Sequence, residues 1–337
     1  MYLSIPEVFY CSVKYVNKSI LEINPPLCVS ERHDKNIKIG AILPSGEKFR
    51  WSKIRYAMEH EAKLKGVDLS IEYSDFDINK ERAIIKRMIL EKIDVLVLGS
   101  VNHKGEKEIL DEVNKAGIKI IAQDALINNC HVDLYLGFNI LRAGQLQGGF
   151  LINKVPEGKY IILYGCPNGE LLKKGAMEYI TPLIDTRKVK VVADEAVKGW
   201  MSDRAYDVVK KIIVEDKNIV AVLAPTDNIA EAVIKALSEE NLQGKVIVTG
   251  QDADPEAIKR ILEGTQAMTL LNDSMTLGRI TIESAINLIE GQSINYDYIV
   301  NNEMVDVQAI LIEPILIDKS NVYSKLKETG YAKEYLM

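Results

Sequence analysis

The chain has 337 residues, of which 47% are apolar and 27% are charged, with a formal net charge of −6. This balance is typical of a folded globular protein with room for two domains, and it excludes a disordered chain. The acidic charge also argues against nucleic acid as a partner, because a protein that binds the phosphate backbone presents a basic face. The four cysteines lack the spacings of a zinc site or a disulfide framework.

Residues 1–36 precede the pattern of folded elements and are treated as an N-terminal extension. Charged residues such as Glu7, Lys14 and Glu22 interrupt every apolar run, so neither a signal peptide nor a membrane span is predicted. Cys28 stands before a polar stretch, as in a lipid-anchored protein, but residues 24–27 lack the small residue of such a cleavage site. We expect an unstructured or partner-binding extension in preference to an anchor.

From Ile37 onward, short apolar runs alternate with amphipathic segments whose apolar residues recur at helical spacing. In the first half, this pattern predicts strands at 37–43, 67–73, 94–98, 118–122 and 132–138, and helices at 51–65, 80–93, 104–115 and 140–153. In the second half, it predicts strands at 160–164, 189–193, 219–224, 245–249, 267–271 and 309–317, and helices at 170–184, 202–214, 228–237, 256–263 and 274–289.

Strands that alternate with helices form parallel sheets with right-handed crossovers and helices on both faces. The alternation restarts after residue 153, so we predict an α/β fold of two similar doubly wound lobes joined by a three-segment hinge. The predicted lobes comprise residues 37–139 with 270–303 and residues 140–269 with 304–337. Two lobes joined in this way can close around a ligand that both contact.

The stretch from Lys245 to Pro255 places a carboxylate where such folds bind ligands. Gly250 ends a buried strand, and Asp254 with Pro255 supplies an N-cap and a first helical residue. Asp252 is therefore expected just past the carboxyl end of a parallel strand, which is the ligand-binding edge of an open α/β sheet. Its carboxylate either accepts hydroxyl hydrogens of a ligand or caps the turn.

Other polar and aromatic residues also follow predicted strands. They are Arg50, Trp51, Asp124, Trp200 and Asp227. A sugar ring has an apolar C–H face and a hydroxyl rim, so aromatic rings with carboxylate and guanidinium groups around them suit a sugar. Taken singly, each tryptophan is more often a half-buried packing residue, but two at such positions favour a sugar site.

No catalytic residue, metal or cofactor is predicted. The chain contains no GxSxG, GxGxxG or GxxxxGK[ST] motif, and its four histidines lie in linkers or beside helices. A glycosidase pair of Asp124 and Asp252 would need one carboxyl held protonated, and a nearby Arg50 would oppose that. We therefore expect a binding protein and not an enzyme.

Several stretches resemble a known family. They are KIGAIL with RWSK, IIAQDALIN, GFNILRAGQLQG, VKVVADEAVKGW, VIVTGQDADPEAIKRILEGTQAMTL and LIEPILID. These look like the xylose-binding proteins of the type I periplasmic sugar-binding family, and the resemblance covers residues 37–325. It implies a bilobal fold that binds a monosaccharide, D-xylose or a related pentose, without chemical change. It also implies an extracytoplasmic location and a membrane partner, either a transporter permease or a sensor histidine kinase.

The resemblance assigns roles to individual residues. Arg50 matches the family's arginine, Trp51 and Trp200 match its sandwiching aromatics, and Asp124 and Asp252 match its hydroxyl-binding carboxylates. The full set of predicted sugar-binding residues is Arg50, Trp51, Asp124, Asn139, Trp200, Thr226, Asp227, Asp252 and Asn272.

Four positions depart from the family's pattern. Ala125 replaces an arginine, Ile140 stands where an asparagine is expected, Thr226 replaces an asparagine, and Asn272 replaces a lysine. Loss of a buried arginine should lower the affinity or change the selectivity, because its bidentate hydrogen bonds to hydroxyls are lost. One alternative is therefore a purely partner-binding homologue with an altered ligand.

A second alternative is the effector-binding core of a lactose-repressor type regulator, which shares the fold. That class needs an N-terminal helix-turn-helix. The first 36 residues contain Pro6, Pro25 and Pro26 and little basic charge, so they do not supply one.

Overall fold

The computed structural model describes residues 13–15, 36–46, 49–102, 106–166, 169–329 and 331. The chain divides into two compact units, Met1–Gly137 with Ser274–Ile312, and Phe138–Asp273 with Glu313–Met337. Each unit is built from separate stretches of sequence, because the chain passes from one unit to the other after Gly137, Asp273 and Ile312.

Strands and helices alternate through most of the chain, which confirms the predicted α/β class. The strands are β1 (Val13–Tyr15), β2 (Lys38–Leu43), β3 (Asp68–Tyr73), β4 (Val95–Leu98), β5 (Lys119–Gln123), β6 (Leu134–Phe138), β7 (Gly158–Cys166), β8 (Val189–Lys198), β9 (Ile219–Leu223), β10 (Ile247–Val248), β11 (Met268–Leu271), β12 (Tyr298–Asn301), β13 (Asp306–Ile312) and β14 (Ile315–Asp318). The helices are α1 (Phe49–Lys65), α2 (Ile78–Leu90), α3 (Lys107–Lys115), α4 (Ile140–Lys154), α5 (Glu170–Asp185), α6 (Ser202–Glu215), α7 (Asp227–Glu239), α8 (Pro255–Glu263), α9 (Ser274–Glu290) and α10 (Val322–Glu328).

The first unit contains a sheet of order β1-β12-β13-β6-β5-β4-β2-β3. The neighbours from β6 to β3 pair in parallel, whereas β12 is antiparallel to both β13 and β1. Every residue of β4 is buried. Because successive side chains of a strand point to opposite faces, both faces of the sheet must be covered.

Two helices of this unit that are far apart in sequence, α1 and α9, pack against each other with backbones close together. A Cβ atom added to Gly278 of α9 would lie 2.6 Å from the carbonyl oxygen of Ile54 and 2.6 Å from Cβ of Ala57, both on α1. Glycine at position 278 therefore allows α9 to cover the apolar side of α1.

The second unit contains a parallel sheet of order β10-β9-β7-β8 and a separate antiparallel pair, β11 with β14. Its helices α4 and α5 are neighbours in sequence and pack at glycines. A Cβ atom on Gly144 would lie 1.9 Å from the carbonyl oxygen of Leu172, and one on Gly175 would lie 2.1 Å from that of Leu141. No residue with a Cβ atom fits at these two contacts without moving a helix.

The prediction of a single strand at residues 309–317 is wrong. The structure has two strands there, β13 in the first unit and β14 in the second, separated by Glu313 and Pro314. Pro314 has no N–H group to continue a ladder. Residues 304–312, which we assigned to the second lobe, lie in the first unit because β13 pairs with β12 and neighbours β6. Residues 138–139 and 270–273, which we assigned to the first lobe, lie in the second unit. The sequence analysis missed β12.

Most of the N-terminal extension, including Cys28 and the question of an anchor, lies outside the described residues. Within it, Val13–Tyr15 forms the edge strand β1, which pairs with Val300, Ile299 and Tyr298 of β12. The N-terminal extension therefore contains at least one structured segment. Among the helices in the described part of the chain, none has both the length and the apolar character needed to cross a membrane.

Candidate functional site

In the first unit, three predicted site residues meet at the carboxyl edge of the sheet. Arg50 and Trp51 lie in the first turn of α1, and Asp124 follows β5. Nη2 of Arg50 donates to Oδ1 of Asp124 in an ion pair whose side chains are 27% and 24% exposed. The guanidinium carbon of Arg50 lies 4.6 Å from the ring centroid of Trp51, which is buried. The arginine is thus held by a carboxylate and by a cation–π contact.

The backbone holds Asp124 in a turn. Its φ is +70°, a left-handed conformation that aspartate tolerates better than most residues. Its N–H donates to the carbonyl oxygen of Leu136 at 2.7 Å, and its own carbonyl accepts from the hydroxyl of Tyr135 at 3.2 Å. Both bonds come from the β6 region, so the neighbouring strand fixes the direction of this carboxylate.

In the second unit, Asp252 and Asn272 meet although they are far apart in sequence. Asp252 follows β10 and is partly exposed, and Asn272 follows β11 and is buried. Nδ2 of Asn272 donates to Oδ1 of Asp252 at 3.4 Å. A carboxylate next to an amide offers acceptors and donors together, which suits a ligand rich in hydroxyl groups.

Asp227, also a predicted site residue, lies deeper. Its side chain has no exposed surface, and it accepts from Nε2 of Gln266 at 2.7 Å, Oγ1 of Thr269 at 2.9 Å and the N–H of Asp254 at 3.0 Å. Burial raises the pKa of Asp227 well above its ordinary value, although the hydrogen bond from Asp254 acts in the opposite direction. The nearby charge of Asp252 raises this pKa further.

Asn139 and Thr226 stand at helix N-termini. Oδ1 of Asn139 accepts from the N–H of Arg142 at 3.0 Å and so caps α4, while its Nδ2 donates to Glu313 at 2.8 Å. Thr226 precedes α7 and donates from Oγ1 to Oδ1 of Asn228. Both residues lie between a predicted strand and a predicted helix, and the structure adds that Asn139 connects α4 to the segment before β14.

Trp200 lies in the turn between β8 and α6, with φ of +55°. Its ring rests on the end of β7, because a Cβ atom on Gly165 would lie 2.2 Å from Cη2 of the indole. Trp200 also packs against the core beside α6 and α7, and it is partly exposed. The residue therefore combines a packing contact with a surface that a ligand can reach.

The sequence analysis missed several polar residues beside Asp252. Gln251 is buried, and its Oε1 has no hydrogen-bond partner among the described residues. Gln266 and Thr269 are buried as well. The available signal was the presence of polar side chains within the otherwise apolar strand region that ends at Leu271.

Each group pairs a carboxylate acceptor with a donor, a guanidinium in the first unit and an amide in the second, and such pairs suit polar ligands. Within the described residues, no three His, Cys, Asp or Glu side chains are grouped so that they could hold a metal ion.

Comparison with known proteins identifies the family. Residues 39–293 match the periplasmic binding protein domain. The chain belongs to the periplasmic binding protein family. It is therefore a binding protein and not an enzyme, and its type I fold agrees with the resemblance noted in its sequence.

The similarity to known relatives extends over about nine-tenths of this binding protein. It is 35% identical to the D-xylose-binding periplasmic protein of Haemophilus influenzae over 308 residues, which are 90% of this chain and 92% of that protein. Identity to the D-xylose-binding periplasmic protein of Escherichia coli is 34% over 306 residues, or 90% and 93% of the two chains. Among solved structures, an ABC transporter solute binding protein from Clostridium phytofermentans with bound β-D-glucose has a TM-score of 0.77, at 26% identity, over 89% of this chain and 99% of that one.

Proposed function

We propose that this binding protein takes up a monosaccharide, D-xylose or a related pentose, and passes it unchanged to a membrane partner. The observation that carries the proposal is the 34 to 35% identity to two D-xylose-binding periplasmic proteins over 90% of the chain. The polar groups at the strand ends support it, because they match the hydroxyl rim of a sugar.

In this proposal, each unit presents groups that suit a sugar. The first unit supplies Arg50 and Asp124 for hydroxyl groups and Trp51 for the ring. In the second unit, Trp200 offers an aromatic face for a sugar ring, and Asp252 with Asn272 offers an acceptor and a donor for hydroxyl groups. A carboxylate that accepts two hydroxyl hydrogens and a planar guanidinium are well suited to the paired hydroxyls of a pyranose.

The membrane partner that we propose is the permease of an ABC importer, reached outside the cytoplasmic membrane. The likeness to an ABC transporter solute binding protein supports this choice. A sensor histidine kinase is the other candidate partner. Reconstitution with each candidate separates them, since only the importer accumulates labelled sugar inside vesicles and only the kinase changes its phosphorylation.

Calorimetric titration with xylose, arabinose, ribose, glucose and galactose tests the ligand. We expect xylose to bind with a micromolar Kd, or about −8 kcal/mol. The departures at Ala125 and Asn272 make the rest of the panel informative, because another sugar that binds more tightly would identify a changed selectivity.

Variants of both units test the site. Asp124→Asn and Asp252→Asn should each weaken binding by about 1 to 3 kcal/mol, because a hydroxyl loses its charged acceptor. Asp185→Asn is the matched control, since Asp185 is exposed at the end of α5. The proposal fails if no sugar of the panel binds, and the assigned site fails if both variants bind as the parent does.

A further inference from the structure

The loop that carries Asp252 has an unusual backbone. Asp252 has φ of +102° and Ala253 has φ of +51°. Two consecutive residues with side chains in this region cost free energy, and they persist only where the surroundings fix them. The cause of this conformation must therefore be sought among the groups that bind the loop.

Three consecutive backbone N–H groups of the loop are held by neighbouring elements. Asp252 donates to the carbonyl oxygen of Leu270 at 2.8 Å, and Ala253 donates to Oγ1 of Thr269 at 3.2 Å. Asp254 donates to Oδ2 of Asp227 at 3.0 Å. Of these three acceptors, the Asp227 carboxylate is the only ionisable one.

Asp227 holds the loop on both sides of Asp252. Its side chain binds Asp254 after that residue, and its own N–H donates to the carbonyl oxygen of Gln251 before it, at 2.9 Å. Gly250 packs on the same carboxylate, because a Cβ atom at position 250 would lie 2.1 Å from Oδ1 of Asp227. The carboxylate thus contacts the start and the end of residues 250–254.

Hydrogen bonds of Gln266 and Arg260 hold the Asp227 carboxylate in place. Nε2 of Gln266 donates to Asp227 and to the carbonyl oxygen of Met268, and Oε1 of Gln266 accepts from Nε of Arg260 at 3.0 Å. Arg260 also donates from Nη2 to the carbonyl oxygen of Asp227 at 3.1 Å. The amide of Gln266 is therefore oriented with its donors toward Asp227.

We propose that Asp227 is a positioning residue that does not contact the sugar but fixes the loop in the conformation that presents Asp252. This inference rests on the proposed sugar-binding function and changes the role that the sequence suggested for Asp227. Its full burial and its three donors support the change, because they leave no exposed surface for a sugar hydroxyl.

Hydrogen exchange of the sugar-free protein tests the positioning role without any ligand. In Asp227→Asn, the new NH₂ group has to face another donor. This donor is either the NH₂ of Gln266, or the hydroxyl of Thr269 and the N–H of Asp254. We expect the amides of Ala253 and Asp254 to exchange at least about 10-fold faster, while those of Val222 and Leu223 in β9 keep their rates. Unchanged loop amides, or a uniform rise across the unit, would overturn the proposal.

A double-mutant cycle with Asp252→Asn tests the connection to binding. Asp227→Asn alone should raise the Kd for xylose about 10-fold, and in the Asp252→Asn background it should raise it less than about 2-fold. Full effects in both backgrounds would mean that Asp227 acts on the sugar independently of Asp252, which contradicts the proposal. If the parent binds none of the sugars, the proposed function fails and hydrogen exchange alone decides the role of Asp227.

Two further variants keep the test valid if Asp227→Asn folds poorly. Asp227→Asn with Gln266→Glu restores an acceptor opposite the new amide and keeps the contact to Arg260, but it loses the donor to the carbonyl oxygen of Met268, so it should recover part of the affinity and of the loop protection. Thr269→Val keeps the side-chain volume but removes the acceptor of Ala253 and one donor to Asp227. It should show the same local loss of protection, and normal protection of Ala253 in this variant would contradict the proposal.

Discussion

The indole of Trp200 rests on the backbone of Gly165, so that a Cβ atom at position 165 would fall 2.2 Å from the ring carbon Cη2. The end of β7 therefore determines where this tryptophan lies. A glycine at position 165 is as much a requirement of the predicted sugar site as the aromatic ring itself.

Gly165→Ala should displace Trp200 and weaken sugar binding by about 1 kcal/mol, which is the scale of one aromatic contact. Calorimetric titration measures the change. In a Trp200→Ala background, the same substitution should have little effect on the Kd, because the ring that it would displace is absent. An equal loss of affinity in both backgrounds would show that Gly165 acts by another route.

Asp124→Asn should affect sugar binding far more than folding. Its ion pair with Arg50 is partly exposed, and such pairs contribute about 0 to 1 kcal/mol to stability. Urea unfolding and sugar titration of the same preparation separate the two effects. Glu59→Gln is a control on α1, since Glu59 accepts from Nε of Arg55 in an exposed pair at 2.7 Å. A large loss of stability in Asp124→Asn, or a loss of affinity in Glu59→Gln, would contradict this assignment.

Glu240 gives a prediction for the pH dependence of stability. Hydrogen bonds from Lys217 and Lys210 lower the pKa of Glu240 from its ordinary 4.5 to about 2. Because this pKa is lower in the folded chain than in the unfolded one, the stabilisation is present above pH 4.5 and is lost as the pH falls toward 2.

Urea unfolding of the parent and of Glu240→Gln at several pH values measures this contribution. The parent should be the more stable protein at pH 7, and the difference should shrink as the pH falls through that window. Glu263→Gln is the control, because Glu263 is exposed at the end of α8. A difference that stays constant with pH would contradict the assigned ionisation.

Gly175→Ala should destabilise the second unit by about 1 to 3 kcal/mol, because its Cβ atom would clash with the carbonyl oxygen of Leu141 and force α4 and α5 apart. Thermal unfolding measures the loss. Gly149→Ala on α4 is the matched control, since its Cβ atom would lie 3.5 Å from the ring of Tyr179, an ordinary contact. Equal stability of the two variants would show that the helices can separate at little cost.

The sequence predicted the α/β class and most elements because apolar runs and helical spacing are local patterns. It did not predict the short strand β12, or the break at Pro314 within an apolar stretch that looked continuous. Asp252 was predicted to lie at the ligand-binding edge because it follows a predicted strand. The burial of Asp227 depends on Gln266 and Thr269, which are 39 and 42 residues away in sequence, and such contacts leave no local pattern.

The packing of α9 on α1 also has a consequence for biosynthesis. The ribosome releases α1 early, but its partner helix emerges only after the whole segment 138–273 has been made. Because synthesis adds about 5 to 20 residues per second, the apolar side of α1 near Ile54 stays exposed for seconds or longer before α9 can pack on it. By contrast, α4 and α5 leave the ribosome one after the other and can pair at once. The helix pair that is begun first, α1 with α9, is therefore completed after the pair α4 with α5, and until then the first unit exposes apolar surface of the kind that chaperones bind.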